Sequence, residues 1–170
     1  MKAKDVSAEK QMKTIIAANE IINRFINHDP FYIARQLGIR VIFTALTDNV
    51  KAFITRDAYG ATIFITKFAD SLSRKILCAH ELGHFINGDV EYAPAFFDID
   101  IDPEKEYLAN VFMSILFPQA EIKLNANPNT DITEINKYFD GLIRYNHDTK
   151  SSDGELKILN DSSTIFDMVH

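Results

Sequence analysis

The sequence predicts an α+β fold in which a small three-stranded, mostly antiparallel sheet packs against several helices. Three observations carry that expectation. Three short runs rich in β-branched and aromatic residues, 39–44, 50–56 and 61–66, lie together in the middle of the chain. Segments with helical hydrophobic spacing flank them on both sides. The last two runs are joined by Asp57-Ala58-Tyr59-Gly60, a junction with hairpin chemistry.

The elements follow in order. Residues 8–27 read as an amphipathic helix, with Ser7 as N-cap and Met12, Ile15, Ile16, Ile22, Phe25 and Ile26 as its apolar stripe. Pro30 opens a short helix, Phe31 to Leu37, which stops at Gly38. After the three strand runs, a helix is expected from Ser71 to Asn87, closed by Gly88. An acidic stretch, Asp89 to Asp102, leads to Asp102-Pro103, an N-cap and first-turn pair. The helix they start is almost wholly apolar from Tyr107 to Phe117, so it is expected to be buried on most sides. A further turn is expected at Ala120–Leu124, a short helix at Asp131–Phe139, and a mobile loop at Asn146–Gly154. The thirteen phenylalanines read as core, and so does Cys78.

Composition narrows the function classes. At about 150 residues per domain, 170 residues make one domain. Its expected core is about 30–120, with an N-terminal helix at 8–27 and a C-terminal extension at 120–170. Hydrophobic residues are 46% and charged residues 25%, a globular balance rather than a disordered one. The net charge of −6 argues against direct binding of nucleic acid phosphates. A single cysteine excludes an internal disulfide and any all-cysteine metal site. Met1 to Lys13 is too polar for a signal peptide. The longest run free of charged residues, Tyr107 to Ala120, has 14 residues, short of the roughly 18 that cross a membrane. A soluble, cytoplasmic protein is the expectation. No G-x-G-x-x-G, P-loop or G-x-S-x-G pattern is present.

One pentapeptide stands out, His80-Glu81-Leu82-Gly83-His84. With 5 histidines and 9 glutamates in the chain, an H-E-x-x-H match is expected by chance roughly 0.008 times. It also lies inside a predicted helix, where residues four apart differ by about 40° in direction. Both imidazoles therefore leave one face and can hold one metal ion, for which zinc is the default with imidazole and carboxylate donors. Glu81 lies beside them, placed to hydrogen-bond a water rather than to bind the metal. A hydrolytic site needs a third protein ligand. Asn87 and Val90 stand where the glycine and the third histidine of the longer H-E-x-x-H-x-x-G-x-x-H pattern would be, so an acid is required. The candidates are Asp89, Glu91, Asp98, Asp100, Asp102, Glu104 and Glu106. Asp89 and Glu91 have little chain with which to fold back. The aspartates at 98–102 read as loop and cap residues. Glu106 heads a buried face and is favoured by pattern, while Glu104 remains open.

Ala79-His80-Glu81-Leu82-Gly83-His84, then Glu106-Tyr107-Leu108-Ala109-Asn110-Val111-Phe112, then Leu116-Phe117-Pro118, together resemble the ImmA/IrrE family of metallopeptidases. The upstream segment Ala34-Arg35-Gln36-Leu37-Gly38-Ile39 and the hairpin before the H-E-x-x-H helix fit the same layout. The resemblance covers roughly residues 30–120, with apolar departures at Met113 and Phe117. It implies a zincin-like, gluzincin-type domain with His80, His84 and Glu106 as zinc ligands and Glu81 as catalytic acid and base. It also implies an endopeptidase that cleaves a helix-turn-helix repressor and so relieves repression. The alternative is a non-proteolytic, zinc-containing module that regulates a repressor by contact. Substrate is expected to add to a sheet edge, with Ala61–Thr66 as that edge. Tyr92, Tyr145 and His147 are candidates for stabilising an oxyanion.

Overall fold

The computed structural model describes residues 1–47, 50–90, 102–118 and 128–146. Its elements are α1 (Ala8–Arg24), α2 (Pro30–Gln36), β1 (Arg40–Thr44), β2 (Ala52–Asp57), β3 (Gly60–Thr66), α3 (Ser71–Asn87), α4 (Pro103–Leu116) and α5 (Ile132–Asp140). The fold is α+β, as the sequence predicts. The expected turn at Ala120–Leu124, and all but the first residue of the loop expected at Asn146–Gly154, lie outside the described residues.

Local chemistry sets the helix ends. Ser7 caps α1 by accepting from the Lys10 N–H, and Asp102 caps α4 by accepting from the Glu104 N–H. Gly88 ends α3 in the left-handed region, at φ +82°, where its N–H bonds back to the His84 carbonyl. Between β2 and β3 the Asp57 carboxylate accepts from the Tyr59 N–H, and Gly60 takes φ +115° to complete a two-residue turn.

The sheet differs from expectation in order and sense. Its order is β1-β3-β2, with β2 antiparallel to β3 but β1 parallel to it, so only one of the two pairings is antiparallel. β3 is therefore the central strand, and Ala61–Thr66 is not a sheet edge. The physical reason is burial on both sides: Ile63 and Ile65 are fully buried, and Thr62 and Thr66 on the opposite face are buried too. Among the described residues the edge strands are β1 and β2.

Helix α4 sits at the centre of the helical layer, touching α1, α3 and α5. Tyr107 to Ser114 are all buried, with Leu116 and Phe117, which matches the apolar run. The core joins these residues to Ile33, Ile63, Ile65, Leu77, Leu82, Ile132 and Phe139. Two packing expectations change. On α1 the buried strip is Thr14, Ala18 and Ile21, while Met12 and Ile16 are half exposed and Ile26, just beyond the helix, is fully so. The Thr14 hydroxyl bonds the Asn87 side chain, which gives that polar residue a reason to face inward. Among the described phenylalanines only Phe112, Phe117 and Phe139 are buried, and Phe43 is 39% exposed. Cys78 is fully buried, as expected.

Candidate metal centre

The site is built where α3 and α4 approach most closely. A Cβ placed on Gly83 would lie 2.9 Å from the Cα and the carbonyl oxygen of Ala109, and 3.2 Å from the Cβ of Phe112. No side chain fits between those backbones, so the glycine inside the pentapeptide lets α4 press onto α3. That contact carries Glu106, on the first turn and a half of α4, to the histidines.

His80 and His84 lie one turn apart, with Nε2 atoms 3.1 Å from each other. Each also meets a different oxygen of Glu106: Oε2 is 3.2 Å from His80 Nε2, and Oε1 is 3.3 Å from His84 Nε2. One ligand atom from each of the three residues falls within 4.8 Å of the other two. Tetrahedral bonds of about 2.0–2.1 Å would separate neighbouring ligand atoms by roughly 3.3–3.4 Å, close to these spacings. Two imidazole lone pairs cannot face each other and a carboxylate at such distances without a cation or a proton among them. The donor set fits a metal ion.

Electrostatics in the metal-free protein say the same. Burial opposes a charge on His84, but the carboxylates of Asp89 and Glu106 overcome it and raise its pKa to about 10. Burial likewise pushes the Glu106 carboxyl up, and the two imidazoles more than reverse that, holding it well below the usual carboxylate range. Glu81 is buried beside them. Its pKa is raised by burial, against the pull of His80, His84 and a hydrogen bond from the Ile54 backbone N–H.

That last bond ties the site to the sheet. The two-residue turn makes Asp57↔Gly60 a hydrogen-bonded pair, so Ile54↔Ile63, three residues further along, is a non-bonded pair. The Ile54 N–H thus points away from β3, toward Glu81. The edge that borders the site is β2.

The remaining sequence candidates separate cleanly. Glu104 faces α1, where its Oε1 lies 2.6 Å from Lys10 Nζ. Asp102 is the α4 cap. Glu91, Asp98, Asp100, Tyr92 and His147 lie outside the described residues. The Tyr145 backbone bridges Ala69, ahead of α3. Nine residues of helix, about 14 Å, separate the start of α3 from His80, so Tyr145 is not brought to the site.

Two side chains support the histidines in ways the sequence does not announce. Asp89 does not reach the site as a ligand, yet its Oδ2 lies 3.7 Å from His84 Nδ1, a charge contact longer than a hydrogen bond. Asn136, on α5, bonds Asn110, whose Oδ1 lies 2.9 Å from His80 Nδ1. The αL turn at Gly88 was a signal for Asp89, because it folds the chain back over the last turn of α3. No local signal marked Asn136.

Residues 34–140 match the family model described as the IrrE N-terminal-like domain, a peptidase M78 domain. No curated protein and no solved structure gives a significant match. Among the described residues no helix is long and apolar enough to cross a membrane.

Proposed function

The chain belongs to the IrrE N-terminal-like peptidase family, whose model spans more than half of it, and from that premise we propose that it is a zinc-dependent endopeptidase. The observation that carries this reading is the convergence of His80 Nε2, His84 Nε2 and the Glu106 carboxylate, with the buried Glu81 beside them. His80, His84 and Glu106 would hold the ion, and Glu81 would be the catalytic base.

A zinc ion bound there would polarise a scissile carbonyl and acidify a water. Glu81 takes the proton of the attacking water and later returns it to the leaving amine. Its raised pKa suits a group that must hold a proton between the two steps. Removed from bulk water, it is also protected from proton exchange during that interval. The outward backbone groups of β2 at Ala52 and Arg56, with the Ile54 C=O, can receive an extended substrate as an added strand, while the Ile54 N–H is held by Glu81. A helix-turn-helix repressor is the substrate the family resemblance implies, cut in the cytoplasm without contact between this chain and DNA.

The test uses wild type and Glu81→Gln, incubated with helix-turn-helix repressors from the same genome. Cleavage should fall about 10²–10⁴-fold in the variant, as loss of a general base requires, while zinc is retained. Equal relief of repression by both proteins, with no repressor cut, would replace the enzyme by a binding module.

A further inference from the structure

His80 is held from behind by a chain of side chains that crosses two helices. Its Nδ1 lies 2.9 Å from Asn110 Oδ1. Asn110 Nδ2 donates to Asn136 Oδ1 at 3.0 Å, and Asn136 Nδ2 donates to the Pro103 carbonyl at 3.0 Å. Asn110 is buried in α4. Asn136 follows Ile135 on α5, at the border of the face that packs on α4.

An amide can be turned end for end, so a chain of two amides has no direction of its own. The far end supplies one. A backbone carbonyl can only accept, so the group that faces Pro103 must be the Asn136 NH₂. The Asn136 oxygen then faces Asn110, which must answer with its own NH₂. The Asn110 oxygen is left facing His80, and it can only accept. Nδ1 of His80 must therefore carry a hydrogen, and Nε2 is the nitrogen whose lone pair is free toward Glu106 and His84. Each link is set by the one before it, starting from a main-chain atom in the first turn of α4.

We propose that Asn136 is a positioning residue for the metal site, fixing the ring orientation and tautomer of His80 through Asn110. The inference rests on the zinc reading given above. It concerns a residue of α5 that touches neither histidine. Without Asn136, Asn110 can turn over and present its NH₂ to Nδ1, which favours the tautomer with hydrogen on Nε2 and turns a donor toward the metal position.

The experiment measures zinc affinity by chelator competition, together with the imidazole N–H proton resonances of the zinc-loaded protein. Wild type, Asn136→Leu, Asn110→Ala and the double variant are compared. Asn136→Ser stands in for Asn136→Leu if that protein does not fold. The expected result is zinc affinity about 10–100-fold weaker in Asn136→Leu, the usual effect of losing an outer hydrogen-bond partner of a ligand. The Nδ1–H signal of His80, visible in wild type, should be lost to solvent exchange. The double variant should bind zinc no more weakly than Asn110→Ala, because one relay is broken only once. Affinity within twofold of wild type, additive losses, or a retained His80 Nδ1–H signal would each overturn the relay alone. Wild type without zinc would overturn the metal reading and the relay with it.

Discussion

The two histidines of α3 share a carboxylate but are supported from opposite regions of the molecule by opposite kinds of group. His80 leans on a neutral relay that runs through α4 and α5 to a backbone carbonyl. His84 faces Asp89, an anion supplied by its own helix just beyond the Gly88 turn. The neutral arm fixes direction, since each amide is oriented by its neighbour. The anionic arm favours positive charge, which is why the metal-free His84 has its pKa raised to about 10 by Asp89 and Glu106 despite burial. A cation seated at Nε2 would draw on the same field. The pairing separates two tasks that a single carboxylate often performs together, orienting a ring and compensating a charge.

The largest disturbance should come from Gly83→Ala, because it acts on the neutral arm and the shared ligand at once. The new methyl would meet the backbone of Ala109, so α4 must withdraw and take both Glu106 and Asn110 with it. A stability loss of about 3 kcal/mol, the upper part of the range for overpacking, is expected from denaturant unfolding of the metal-free protein. Zinc binding should weaken in parallel, while Asp89, carried by α3 itself, keeps its place. An unchanged midpoint would show that the close approach is not required.

A smaller effect is expected from Asp89→Asn, which keeps the shape of the anionic arm and removes its charge. Zinc affinity should fall about 10–100-fold by chelator competition. An effect under twofold would mean that the contact at 3.7 Å contributes no charge compensation.

The smallest effect is a slope with pH. His84 has its pKa raised from 6.5 to about 10 on folding without metal. Its contribution to stability is fully present below pH 6.5 and is lost as the pH rises through about 10. Thermal unfolding of metal-free protein across that window should show declining stability, with a shallower decline in Asp89→Asn. Zinc-loaded protein should lack this component, because metal binding displaces the proton. Equal slopes in wild type and Asp89→Asn would remove Asp89 as a cause.

Much of this was legible from the chain because it is local. Helical spacing places His80 and His84 on one face, and Ser7, Gly88 and the Asp102-Pro103 pair act within a few residues of themselves. What was not legible depends on how elements meet. The apolar residues of α1 admit more than one buried strip, and Thr14, although polar, faces inward because Asn87 on α3 receives its hydroxyl. The strand runs alone leave the sheet order open: β3 is central and not an edge because it is buried on both faces. Asp89 is too near in sequence to be a ligand, and its place beside the far nitrogen of His84 depends on the turn at Gly88. Asn136 reads as a surface residue of a short helix until α5 is laid on α4.

The central claim is that His80, His84 and Glu106 hold one metal ion, and elemental analysis of four purified proteins tests it most directly. Wild type and Glu104→Ala should each carry about one zinc per chain, while His84→Ala and Glu106→Ala should carry none after the same dialysis. Glu104 is the sharper control, since it lies two residues from Glu106 on the same helix and is paired with Lys10. Zinc retained in full by Glu106→Ala, or lost from Glu104→Ala, would contradict the account.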